Sequence, residues 1–125
     1  PIERYKAAMK VWSVVAYIVR DLAVANKSTY DAANQTREQI QELLTQKILT
    51  KAQVKRATKL LDLRNQWKRN PQRPIEQEAF NSFMRKSRRL GNELSRLISE
   101  TNSNQQDRNE HADVPQPPDP GDGAA

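Results

Sequence analysis

Apolar positions return at spacings of three and four in four successive stretches of this chain, the repeat of helices that bury one side. In residues 2–26, Tyr5, Met9, Trp12, Ala16, Val19 and Ala23 form one stripe, and Val11, Val15, Ile18 and Leu22 widen it. At about 100° per residue, Lys6, Lys10, Ser13, Tyr17 and Arg20 fall within about 80° of each other on the narrow face that is left. A helix so apolar has to be covered by other helices, and the expectation is that part of the cover comes from another subunit. Asn26 and Lys27 end it. Ser28 then suits the cap of a second helix over 29–47, with Asp31 as a short version of the capping box. That helix is expected to bury Ala33, Ile40, Leu43 and Leu44 and to turn Asn34, Gln35, Gln39, Gln41 and Glu42 outward.

Thr50 and Gln53 make a capping box that opens a third helix over 51–69. Its buried side carries Val54, Ala57, Leu60, Leu61 and Trp67, and Lys51, Lys55, Lys59, Gln66 and Arg69 lie opposite, with Asp62 among them. The run 70–74 is a rigid break, because Pro71 and Pro74 each disfavour helix in the residue before them. Pro74 suits the first turn of a fourth helix, and Glu76 and Glu78 suit its positive end. Phe80, Phe83, Leu90, Leu94 and Leu97 recur near heptad spacing to about Thr101, with Ser87 at a seam position and Arg85, Arg88, Arg89, Asn92 and Arg96 on the reverse side. Gly91 in mid-helix costs about 1 kcal/mol relative to Ala, which points to a close helix crossing or a kink.

From Asn102 the composition shifts to Asn, Gln, Asp, Pro and Gly, which bury little apolar area. The pattern as a whole predicts an all-α fold with four helices, two of them long, in an open bundle or extended helical hairpins. Residues 1–101 form a basic helical domain, and residues 102–125 a flexible, disordered, acidic and Pro-rich tail.

Composition sharpens this picture in one respect. The chain has 125 residues, 36% hydrophobic but only 6% aromatic, so its core is thin. The net charge of +6 conceals an asymmetry: residues 1–101 hold 20 Lys and Arg against 10 acids, and residues 102–125 hold one Arg against five. A basic body points to a polyanionic partner. Solubilising charge alone also puts Lys and Arg on outer faces. Residues 51–70, however, carry seven cations and one acid, and the fourth helix favours Arg, which pairs bidentately with phosphate. The candidate nucleic-acid contacts are therefore Lys6, Lys10, Tyr17 and Arg20, then Lys51, Lys55, Lys59 and Arg69, then Arg85, Arg88, Arg89 and Arg96. The candidate oligomer interface is Trp12, Val15, Ile18 and Leu22 with Phe83 and Leu90. Trp12 and Trp67 read as core or interface anchors, since both sit on apolar sides.

Catalytic chemistry finds no support. With no cysteine, disulfides and thiolate metal sites are excluded. The single histidine, His111, falls in the expected tail, and Glu76 and Glu78 point in different directions on a helix. No phosphate-binding glycine loop or metal-spaced cluster is present, so no enzyme, cofactor, metal or small-molecule substrate is expected. The longest apolar run, 11–19, falls short of the roughly 20 residues that span a bilayer. No signal peptide is visible, so the expected place is a virion, the cytoplasm or a nucleoid. The sequence thus suggests a structural protein that self-assembles, as a homo-oligomer or with a related subunit, and coats or packages DNA or RNA with little sequence specificity. Two alternatives remain open: a dimeric helix-turn-helix regulator with 51–69 as recognition helix, and a helical adaptor for an acidic protein.

Overall fold

The computed structural model describes residues 2–30, 32 and 34–113, with side chains as far as Ser103. Among these residues the fold is all-α, with four helices and no strand: α1 (Ile2–Ala25), α2 (Thr36–Thr45), α3 (Lys51–Arg69) and α4 (Gln77–Asp113).

α1 and α4 lie side by side and run the same way. At their starts the Arg4 guanidinium donates to the Ile75 carbonyl at 2.8 Å and to the Gln77 side chain. Farther along, Val15 and Ile18 lie against Gly91. α3 runs antiparallel to α4, because Trp67 packs on Phe83 with ring centroids 4.9 Å apart while Arg56 reaches Glu93. α2 bridges α1 and α3.

α1 packs against each of the other helices, most extensively against α4. That position explains its apolar circumference and corrects the expected interface. Trp12, Val15, Leu22, Phe83 and Leu90 are at most 2% exposed within one chain. Ile18 packs half-buried against the same core. These residues are core, and the cover that the sequence assigns to a second subunit is supplied by the chain's own helices. On α1 only Ile2, Val14, Tyr17 and Val24 remain as large exposed apolar side chains. No helix among the described residues is long and apolar enough to cross a membrane.

The helix ends show where the sequence pattern misleads. α2 begins at Thr36, not at 29, because the Ser28 hydroxyl accepts the Tyr30 N–H at 3.0 Å and donates to the Glu42 carboxylate. Those bonds make a turn in place of a helix cap. Gln39, expected outside, is fully buried: its amide donates to the carbonyls of Tyr30 (3.1 Å) and Ala32 (3.0 Å) and anchors the preceding loop. Asp31 and Ala33 lie outside the described residues. α1 and α2 both end in Schellman motifs with a lysine in the left-handed position, Lys27 at φ 58° and Lys47 at φ 63°. In the second, Ile48 N–H donates to Leu43 O and Lys47 N–H to Leu44 O, both at 2.9 Å.

α3 has the expected bounds, and both halves of the Thr50–Gln53 capping box are present. α4 begins at Gln77, so Pro74 precedes the helix and does not sit in its first turn. Ile75, 3% exposed, plugs the connection. α4 continues past Thr101 to Asp113, since residues 102–113 contain neither Gly nor Pro and an established helix propagates through them. The Pro-rich end, 114–125, lies outside the described residues. Along the seam Phe83, Ser87, Leu90 and Leu94 are buried, with Phe80 and Leu97 half-buried.

Candidate nucleic-acid interface

The capping box fixes where α3 starts and hence which way its first lysine points. Lys51, Lys55 and Lys59 then follow at one-turn spacing, all exposed, with Arg69 farther along the same side. The acid on that side, Asp62, is held 2.7 Å from Arg37 of α2. None of the four cations takes part in the three ion pairs found among the described residues. On α4, Arg85, Arg88, Arg89 and Arg96 are likewise exposed.

Antiparallel packing of α3 on α4 brings part of these two sets together. Arg56 and Lys59 from α3 and Lys86 and Arg89 from α4 surround a groove of about 430 Å³, with Leu60, Leu63, Phe83 and Leu90 as its apolar wall. No carboxylate lines it. Arg85 and Arg88 stay outside this groove. The sequence repeat singles out Lys59 and Arg89, but Arg56 and Lys86 join them only through the pairing of the helices. Arg56 sits between the apolar stripe and the outer face of α3, and a single helical wheel gives such a position no signal.

Glu93 clips the same two helices together. Arg56 donates to both of its carboxylate oxygens, at 2.9 and 3.0 Å, and the Gln53 amide reaches one of them at 3.4 Å. The hydrogen bond from Arg56 holds the Glu93 carboxyl below the usual carboxylate range, against burial, which pushes it up; Gln53 adds to the lowering. The same bond raises the Arg56 guanidinium. Farther along α4, Arg89 and Arg96 share a groove of about 550 Å³ with Glu93 and Glu100, so positive charge thins in that direction.

The α1 candidates separate. Lys6 and Lys10 are exposed on α1, and Arg20 is half-buried with Asp21 at 3.8 Å. Tyr17 is 57% exposed and lines a groove of about 600 Å³ between α1 and α3, together with Ser13, Asn34, Arg37, Arg64 and Lys68. The narrow strip read from the helical wheel is thus divided, with Tyr17 turned toward cations of α2 and α3 that the sequence pattern does not single out. The Arg64 guanidinium donates from Nη1 to the Asn65 side chain at 2.9 Å, whereas its buried Nε has no hydrogen-bond partner.

Among the described residues no three His, Cys, Asp or Glu side chains gather as a metal site would. Comparison with protein-family models, with curated proteins and with solved structures finds no match to this chain.

Proposed function

We propose that this chain is a non-enzymatic protein that binds the phosphate backbone of nucleic acid through α3 and α4, with many copies coating or packaging the polymer in a virion or nucleoid-type assembly. The observation that carries this is the convergence of Lys59, Lys86 and Arg89 on one groove whose lining holds no carboxylate, beside Arg56 whose charge Glu93 balances, continued by the exposed row Lys51, Lys55, Lys59. Cations so arranged lower the free energy of a polyanion by releasing its counterions, whatever the base sequence. Arg adds bidentate geometry for phosphate oxygens. The assembly part of the proposal rests on small size and charge, since the core closes within one chain.

The test is the salt dependence of binding. On duplex DNA each phosphate contact contributes nearly one unit to the slope of log affinity against log salt. Changing Lys55 and Lys59 together to Gln is expected to weaken binding on all sequences alike and to flatten that slope by about two. Both side chains are exposed, so the helical signal should stay unchanged. Unaltered affinity and slope would reduce α3 to a solvated face.

A second reading has one observation in its favour. α2 and α3 are consecutive helices joined by the short turn 46–50, and Lys51, Ala52 and Lys55 are exposed at the start of α3, where a recognition helix reads bases. Under that reading the same double substitution removes discrimination between one site and random DNA. An adaptor for an acidic protein would show no salt-sensitive binding to nucleic acid at all.

A further inference from the structure

We propose that the groove between α1 and α3 holds an unpaired nucleobase against Tyr17, so that the preferred partner is single-stranded nucleic acid. This rests on the backbone-binding proposal above and specifies its substrate. Tyr17 is the one aromatic side chain among the described residues that stands mostly in solvent, at 57% exposed. The exposed ring leaves apolar area in water, as Ile2, Val14 and Val24 of the same helix also do, but of these four it alone lines the groove between α1 and α3. The ring lines a groove of about 600 Å³, large enough for a base, and shares it with Arg64 and Lys68 of α3. Arg64 and Lys68 put two cations beside the ring, and neither takes part in the ion pairs found among the described residues, so both can meet a phosphate of the strand. The amides of Asn34 and Asn65, also in the lining, offer both donors and acceptors to a base edge. The carboxylate in the lining, Glu38, faces the same space and accepts hydrogen bonds, which suits an exocyclic amino group and disfavours a second phosphate.

A duplex hides the faces of its bases and can offer this groove only its backbone. A single strand can turn a base out, stack it on the tyrosine ring and keep its phosphates near Lys68 and Arg64. The ring interaction carries no charge, so it adds affinity without adding salt dependence.

The experiment measures fluorescence anisotropy of labelled oligodeoxycytidylate and oligocytidylate of about twenty nucleotides, whose bases carry an exocyclic amino group, and of a duplex of equal length, over a series of salt concentrations at neutral pH. The full chain is compared with Tyr17→Ala and Tyr17→Phe. Single strands should bind about tenfold more tightly than the duplex. Tyr17→Ala should remove about a tenfold share of single-strand affinity with the salt slope unchanged, Tyr17→Phe should retain it, and duplex binding should not respond to either. If Tyr17→Ala binds both forms as the parent does, while Lys55→Gln with Lys59→Gln still flattens the slope, the base-holding groove is refuted and backbone binding stands. If neither form binds in a salt-sensitive way, both proposals fall.

Discussion

Gly91 stands where α1 crosses α4, yet the space a Cβ needs is there: it would meet Ile18 Cδ1 at 3.6 Å and Val15 Cγ2 at 3.8 Å, ordinary van der Waals separations. The glycine thus carries a helix penalty that the crossing does not require. Gly91→Ala is expected to stabilise the protein by about 0.5–1 kcal/mol through reduced freedom of the unfolded chain. The check is a higher urea midpoint at unchanged slope; a lower midpoint would mean that the crossing has no room for the methyl group. Gly91→Leu should reverse the sign, costing about 1–3 kcal/mol by overpacking against the same two side chains. Lys47 presents the opposite case, a side chain where the backbone wants none. At φ 63° any Cβ is strained, and the Schellman hydrogen bonds from Lys47 and Ile48 leave the chain no other path. Lys47→Gly should therefore be more stable than Lys47→Ala by about 1 kcal/mol, a comparison in which both variants lack the lysine charge. Equal stability of the two would show that the turn relaxes out of the left-handed region.

At the scale of elements, the α3–α4 pair is held by an apolar contact at one end and an ion pair at the other. Because hydrogen bonding to Arg56 lowers the Glu93 carboxyl in the folded state, folding favours its ionised form. The clip therefore contributes fully above the pKa of an unfolded glutamate, about 4.3, and is lost as pH falls through the lower folded value. Arg56 is well exposed, so the gain is at most about 1 kcal/mol. Glu93→Gln should be less stable than the parent by up to that amount at neutral pH, with the gap closing near pH 3, as read from paired urea titrations. A gap that persists at low pH would assign the loss to packing. The same pair shows what a sequence conveys about an element and what it does not. The bounds of α3 are legible because Thr50, Gln53 and the apolar repeat act locally, within four residues of each other. The start of α2 is not, since the Ser28 hydroxyl that reads as a cap is taken by Tyr30 N–H and by Glu42, fourteen residues on. Gln39 is misplaced for a related reason: an amide is buried when carbonyls wait for it, and the carbonyls of Tyr30 and Ala32 are brought there by a loop that leaves no periodic trace. The exposed rows Lys51–Lys55–Lys59 and Arg85, Arg88, Arg89 follow from single helices. The groove that joins Arg56 to Lys86 follows only from how two helices pack.

For the whole molecule the decisive quantity is how charge is divided along the chain. The acids beyond Thr101 are Asp107, Glu110, Asp113, Asp119 and Asp122, against Arg108 alone. They share a small molecule with the cations of α3 and α4, and at low ionic strength fields extend over about 10 Å or more, so a phosphate polymer meets the sum of both. Shortening the chain should then tune affinity in steps. Ending it after Asp113 removes two acids and raises the net charge from +6 to +8, while ending it after Thr101 removes five acids and Arg108 and raises it to +10. Affinity for single-stranded and duplex nucleic acid should rise in that order at low salt, and the three proteins should converge as salt screens the difference. The shorter truncation leaves all four helices intact, whereas the longer one removes residues 102–113 of α4 and with them part of the helical signal. Thermal melting separates the two effects, since among the residues whose side chains are described the core and the apolar side chains packed on it end at Ile98, which both variants keep, and the midpoint should hold in both. Equal affinities at low salt would mean that the acids never share a field with the basic faces. Weaker binding after the longer cut alone would assign residues 102–113 a contact of their own with the polymer, a result that charge cannot produce because the segment's net contribution is negative.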